Sequence, residues 1–147
     1  MTKDLEQKLV ECWPTWFDVR GDPRLTRMAD GFAHDDGWFE IVWRLCADLE
    51  PIVAEIEKKT WLPFEVRQVK EKMGGLVVYV NYHSDAISER ITAAYWESLK
   101  TCEVCGHPGT RRGGRVRNSG QFFCESAFKN GLTKGMLLLP HVFVSTT

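Results

Sequence analysis

The sequence predicts an α+β domain in which helices pack on a small antiparallel β-hairpin, followed by a carboxy-terminal zinc-knuckle module. Helix-spaced apolar residues occupy residues 38–58 and 85–99. Two strand-like runs flank a glycine pair at residues 74–75. The run Cys102-Glu-Val-Cys105-Gly has the spacing at which two thiolates bind one metal ion.

Length and composition limit the class of protein. A chain of 147 residues is long enough for a hydrophobic core and fits one domain with a small appended module. No apolar run reaches the roughly 18 residues that a membrane span needs, and the amino terminus has no signal-peptide pattern. Five cysteines, two of them in a C-x-x-C pair, fit metal binding in a reducing compartment better than a disulfide framework. These features predict a cytoplasmic protein without a membrane partner.

Charge divides the chain near residue 100. Residues 1–100 contain 13 Lys and Arg against 18 Asp and Glu, whereas residues 101–147 contain six against two. We therefore expect an α+β body over residues 1–100 and a basic zinc-knuckle tail over residues 101–147, packed together as one unit.

The first elements are predicted from local patterns. Residues 3–12 have the pattern of a short amphipathic helix that ends before Pro14. The segment that follows, with Trp13, Trp16 and Phe17, is too aromatic for a free tail, so it packs either on the core or on a partner. Residues 18–37 are rich in turn formers and predict a structured loop.

A long helix is expected over residues 38–58. Asp35 and Asp36 are its candidate N-caps, and Pro51 should kink it or divide it in two. A second apolar stripe through Trp43 and Cys46 indicates that this helix is buried on more than one side or contacts another chain. A homodimer therefore stays open.

The later elements include a hairpin and a capped helix. Residues 64–70 and 76–82 predict two strands, joined by a turn in which Gly74 and Gly75 supply positive φ angles. The second run is apolar on both faces, so we expect it to be the central strand and the first to lie nearer an edge. Ser84 should cap the helix over residues 85–99. A short strand is expected through residues 121–124 and a last one within residues 136–144.

The cysteine pattern predicts most of a tetrahedral zinc site. Cys102 and Cys105 form the knuckle pair, and Cys124 is the expected third ligand. The second half of such a site is usually another C-x-x-C or C-x-x-H pair, but the closing position here is Ala127. The fourth ligand is therefore open, with His107 expected to point away from the metal. The other possible donors are His34, His83, His141, Cys12 and Cys46.

Three interpretations of the metal site follow. The zinc is structural, or no metal binds, or three protein ligands hold a catalytic zinc with a water molecule. A catalytic site would need a nearby acid or base, and the local carboxylates are Glu103 and Glu125. No nucleotide-binding or nucleophile motif surrounds Ser84 or the glycine pair. We expect a structural zinc ion and assign no catalytic residue.

Three pieces of the chain resemble a group of uncharacterised small proteins, many carried by bacteriophages and prophages. The matching pieces are Gly37-Trp38, residues 68–80 (QVKEKMGGLVVYV), and residues 102–109 with Cys124, which together touch most of residues 37–125. The order of knuckle, hairpin and third ligand is also similar to treble-clef and zinc-ribbon modules. The resemblance implies a phage-type accessory protein but supplies no established activity. The family usually closes its tail with a C-x-x-H pair, from which this chain departs.

Three function classes are compatible with these features. The leading one is a non-enzymatic protein that docks on a host protein and modulates or inhibits it, with a host defence system as one target class. The alternatives are a nucleic-acid-binding module and a small metal-dependent hydrolase. The candidate contact residues form an arginine cluster and an aromatic group: Arg111, Arg112, Arg115 and Arg117, and Trp13, Trp16 and Phe17.

Overall fold

The computed structural model describes residues 1–112 and 121–123. Its helices in this part of the chain are α1 (Lys3–Cys12), α2 (Phe39–Thr60) and α3 (Asp85–Ser98), with 3-10 turns at Met28–Asp30 and Asp36–Trp38. Strands β1 (Val66–Lys72) and β2 (Gly75–Val80) form one antiparallel pair, and β3 (Thr110–Arg112) and β4 (Gln121–Phe123) form another. The α+β class is confirmed. The strand expected within residues 136–144 lies outside the described residues.

Two of the predicted helix ends are confirmed. The helix α1 ends at Cys12, before Pro14, and the hydroxyl of Ser84 accepts the N–H of Ile87 at 3.2 Å at the start of α3. The prediction that Asp35 or Asp36 caps the long helix was wrong, because neither carboxylate makes a capping hydrogen bond at the start of α2 or of the 3-10 turn before it. The Asp36 carboxylate instead accepts the N–H of Thr2 at 2.6 Å.

Pro51 does not divide the long helix. α2 runs without interruption through this residue. Proline removes one backbone N–H from the helix, but Leu49 and Val53 on either side are buried in the core. Their burial offsets the lost hydrogen bond.

The turn of the first hairpin differs by one residue from the prediction. The residues with positive φ are Met73 at 54° and Gly74 at 86°, so Gly75 is not one of them and begins β2. Positive φ at both central positions is the pattern of a two-residue type I′ turn. Methionine in this left-handed region costs about 1 kcal/mol, which the strand pairing on both sides offsets.

The predicted order of central and edge strands was also wrong. The strand β1 pairs with β2 on one side and, on the other, makes parallel bridges to Phe17 and Ala33. Glu71 donates its N–H to the carbonyl of Ala33 at 2.9 Å, which closes that second edge. The loop between α1 and α2 therefore covers the edge of the more polar strand.

The core lies between the helices and the inner face of the β1–β2 hairpin. Trp38 and Phe64 are the largest side chains with no exposed surface. The aromatic segment after α1 belongs to this core: Trp13, Trp16 and Phe17 are 6%, 6% and 2% exposed. Of the two locations expected for that segment, the structure shows the core.

The second stripe of α2 packs within the chain. Trp43 is half-buried and meets the ring of Trp13 edge to face, with centroids 4.9 Å apart. Cys46 is 4% exposed. These contacts account for the stripe without a second copy of the chain.

Candidate metal centre and binding surface

Residues 101–109 form a closed turn around the first two predicted zinc ligands. The N–H of Cys102 donates to the carbonyl of His107 at 2.8 Å, and the N–H of Gly106 donates to the carbonyl of Cys102 at 2.9 Å. Gly106 has φ of 75°, a conformation that favours glycine. The turn thus holds Cys102 and Cys105 on one short loop.

This turn is packed tightly on the body at Gly37. The N–H of Gly37 donates to the carbonyl of Glu103 at 2.7 Å. A Cβ atom on Gly37 would lie 2.3 Å from the carbonyl oxygen of Cys102 and 2.5 Å from the nitrogen of Gly106, so only glycine fits. The indole N–H of Trp38 donates to the carbonyl of Thr101 at 3.0 Å. Sequence reasoning noticed the Gly37-Trp38 pair but not what it contacts.

The two cysteines differ in exposure. Cys102 is 0% exposed, while Cys105 is half-buried and packs against it together with Val104. His107, which we expected to point away from the metal, has its Nδ1 atom 3.4 Å from the sulfur of Cys105. Two ligands of one tetrahedral zinc are about 3.5 Å apart by the usual bond lengths, so this distance suits either a shared metal or an N–H···S hydrogen bond.

The other described candidates for the fourth ligand lie in different surroundings. Cys12 is exposed on α1. Burial raises the pKa of the Cys46 thiol, which disfavours the thiolate that zinc requires. His83 is exposed, and His34 is buried among aromatic rings.

Only some of the predicted and possible metal ligands are among the described residues. Cys124 and His141 lie outside the described residues. Within residues 1–112 and 121–123, no group of three or more His, Cys, Asp or Glu side chains is arranged to hold a metal ion. Strand β4 ends one residue before Cys124, and its last residue, Phe123, pairs with Thr110 of β3. The strand that precedes Cys124 therefore returns the chain to the residues that follow the knuckle turn.

The side chain of Glu103 connects the knuckle turn to the body by a hydrogen bond. Its side chain is 4% exposed, and one carboxylate oxygen accepts the N–H of Asp35 at 3.1 Å. Burial raises the pKa of Glu103 to about 7, with the carboxylates of Asp35 and Glu71 adding to the effect. This carboxylate faces the protein interior, which does not suit a base acting on a substrate in solvent.

His34, which precedes Asp35 in the chain, is a second buried ionisable group. It is 5% exposed, and its Nδ1 atom lies 2.8 Å from the carbonyl of Asp35, so we assign the ring proton to that nitrogen. Burial lowers the pKa of His34 to about 4. Its Nε2 and the second oxygen of Glu103 are buried without a hydrogen-bond partner in the described part of the chain.

A groove lined by three arginines, which we call the hairpin groove, lies on the solvent face of the β1–β2 hairpin. It is open, measures about 460 Å³, and contains the exposed side chains of Leu25 (71%) and Tyr79 (41%). The ammonium group of Lys70 lies 5.3 Å from the centre of the Tyr79 ring. The residues that line the groove are Pro23, Arg24, Leu25, Thr26, Arg27, Arg67, Gln68 and Tyr79. No local sequence pattern indicated this groove, because its arginines are far apart along the chain.

The predicted contact residues are only partly among the described residues. Arg111 and Arg112 lie on β3, and Arg115 and Arg117 lie outside the described residues. The buried aromatic segment after α1 offers little surface to a partner. The tryptophans with the largest exposure are Trp61 at 89% and Trp96 at 58%.

Comparisons with known proteins add no relative. No family model, curated protein or solved structure matches this chain. No helix among the described residues is long and apolar enough to cross a membrane.

Proposed function

We propose that this chain is a non-enzymatic binding protein that docks on another protein, and that its knuckle turn holds a structural zinc ion. Cys102, Cys105 and Cys124 are the proposed ligands. The observation that carries the proposal is the knuckle turn itself, closed by its own hydrogen bonds and packed on Gly37. A bound zinc ion would supply a tetrahedral crosslink between this turn and the chain that follows β4.

Burial supports a structural rather than a catalytic metal. Cys102 has no exposed surface, and Glu103 is bound to the backbone of the body. A catalytic zinc keeps an open position beside an accessible acid or base. Within residues 1–112, the surroundings of the knuckle turn fit a closed site better.

A role in binding is supported by the exposed surface. The body carries a surplus of acidic residues, while the hairpin groove combines arginines with an exposed tyrosine and leucine. Tyrosine and arginine are enriched where proteins bind one another, and charge directs the encounter. The resemblance to phage and prophage proteins supports a host protein as the partner, modulated or inhibited in the cytoplasm of the host cell.

The ligand set is tested by cobalt substitution. Cobalt bound to thiolates absorbs light in proportion to the number of sulfur ligands, so the wild-type spectrum should weaken in both Cys105→Ala and Cys124→Ala. Cys12→Ala is the matched control, because Cys12 is an exposed cysteine on α1. An unchanged spectrum in Cys124→Ala would remove that residue from the proposed set.

The binding role is tested by capture from a bacterial lysate treated with nuclease. The tagged full chain should enrich one host protein in near-equal amount over a tag-only control, because a docking protein forms a defined complex. Enrichment of no protein above that control would contradict the proposed function.

A further inference from the structure

We propose that the hairpin groove is the docking site for an acidic segment of the partner protein that carries an apolar side chain. This inference rests on the proposed function and adds the location and chemistry of the contact. The groove brings together cations from the loop before α2 and from β1, which are distant in sequence.

The three arginines of the groove differ in how far their side chains are exposed to solvent. Arg67 is 38% exposed and donates to the carbonyl of Leu25 at 3.0 Å, so it holds the rim in place. Arg24 and Arg27 are 89% and 64% exposed and extend into solvent. Arg24 already donates from Nε and Nη2 to the carboxylate of Asp22, so a partner carboxylate would be reached by its Nη1 atom and by Arg27, whose nearest carboxylate oxygen lies 3.9 Å away.

The apolar part of the groove gives the contact its second component. Leu25 and Tyr79 are exposed although both side chains are large and hydrophobic. Covering such surface yields about 25 cal/mol per Å² before the costs of association are subtracted. An apolar side chain of the partner, seated between Leu25 and Tyr79, would place neighbouring acidic residues beside Arg24 and Arg27.

The charge pattern favours an acidic peptide over nucleic acid. Each arginine of the groove lies beside a carboxylate of this chain, at 2.7 Å for Arg24–Asp22, 2.8 Å for Arg67–Glu65 and 3.9 Å for Arg27–Asp30. A phosphate backbone carries one negative charge for each nucleotide along its whole length, so it would meet all three carboxylates and the acidic body, whereas a peptide with a few acidic residues meets fewer of them. Single-strand binders also use several stacking rings, whereas the groove has one tyrosine. A peptide, unlike a phosphate backbone, can have its few carboxylates at the positions that face the exposed guanidinium groups and neutral side chains elsewhere.

The direct test uses the isotope-labelled full chain and three probes. The probes are a peptide of glutamates around one leucine, the same peptide with glutamine for glutamate, and a single-stranded oligothymidylate. The acidic peptide should shift the backbone amide signals of Leu25, Arg27 and Tyr79. Loss of the shifts with the glutamine peptide is expected because charge supplies the orientation. Shifts centred elsewhere, or tighter binding of the oligothymidylate, would overturn the inference.

A pair of variants locates the cations. Arg24→Gln with Arg27→Gln should weaken binding of the acidic peptide by about tenfold, the size expected for removal of a principal contact. Arg44→Gln with Arg90→Gln is the matched control, since Arg44 also pairs with a carboxylate and Arg90 is exposed on α3. Equal weakening by both pairs would overturn the inference.

Lysate capture separates the two proposals. If wild type and Arg24→Gln/Arg27→Gln enrich the same host protein equally, the groove is not the docking site although the binding function stands. If the wild type enriches no protein, the proposed function itself fails.

Discussion

The body and the knuckle turn are held together in different ways. The body buries one large cluster of apolar side chains, including Trp13, Trp38 and Phe64. The knuckle turn has only Cys102 fully buried, with Val104 and Cys105 packed against it. Its own apolar burial is therefore small, and hydrogen bonds to residues 35–38 hold it on the body. A segment with so little core is the part of a chain that a metal crosslink stabilises most.

Trp38 joins the two regions, so its removal should have the largest effect. It is fully buried and donates to Thr101. Trp38→Ala is expected to lower the free energy of unfolding by about 3–5 kcal/mol, because it leaves a cavity and an unpaired carbonyl. Urea unfolding measures this loss. Trp96→Ala is the control, since that side chain is 58% exposed, and an equal loss in both variants would contradict the assigned role.

His34 makes the stability of the body sensitive to acid. Its pKa falls from 6.5 to about 4 in the folded protein, so the neutral form is the one that folding favours. The stability it contributes is present above pH 6.5 and is lost as the pH falls toward 4. The loss approaches about 3 kcal/mol, at roughly 1.4 kcal/mol for each pH unit.

The histidine effect is isolated by comparing variants. The pKa of Glu103 is raised to about 7, so this group acts in the opposite sense and loses stability as the pH rises. His34→Gln should remove the acid-dependent term and leave the contribution of Glu103 unchanged. His83→Gln, at an exposed histidine, should retain the wild-type pH profile. Parallel profiles for wild type and His34→Gln in urea unfolding would contradict the buried neutral histidine.

Gly37→Ala should weaken the contact between the knuckle turn and the body while leaving the buried side chains of both in place. The new Cβ atom meets backbone atoms of the knuckle turn, which cannot swing aside, and overpacking of this kind costs about 1–3 kcal/mol. Hydrogen exchange should become faster at the amides of Cys102 and Gly106 than in wild type, while β1 stays protected. Gly21→Ala is the control, because the atoms nearest to its new Cβ belong to the flexible carboxylate of Asp18. Unchanged exchange at Gly106 would show that the contact is looser than described.

Trp61 lies on the surface of the body, outside its core, and should matter least to stability. It is 89% exposed and holds a φ of 57° at the end of α2. Trp61→Gly should raise the free energy of unfolding by about 0.5–1 kcal/mol, because glycine adopts this conformation without strain. Thermal unfolding measures the change. A loss of stability would mean that the indole packs on the protein.

The sequence was informative where a few neighbouring residues determine the structure. The Ser84 cap, the end of α1 before Pro14 and the presence of the β1–β2 hairpin all follow from local preferences. The same reasoning failed where a residue distant in sequence takes the hydrogen bond that a local pattern predicts. Asp36 binds Thr2 instead of capping a helix, because the amino terminus packs beside it.

The candidate site was less predictable than the fold. The C-x-x-C spacing revealed the turn, but not that Gly37 receives it or that Glu103 reaches the N–H of Asp35. These contacts join parts of the chain with no local pattern to link them. The hairpin groove was missed for the same reason, since Arg24 and Arg67 meet only after the loop folds along β1.

Metal content is the measurement that tests the central claim most directly. The full chain, purified without added metal, should contain one zinc ion per molecule by elemental analysis, and Cys105→Ala should contain none. Cys12→Ala should keep its zinc, and a chelator should lower the midpoint of thermal unfolding of the wild type. A wild-type protein without metal, or zinc retained in Cys105→Ala, would contradict a zinc site at the knuckle turn.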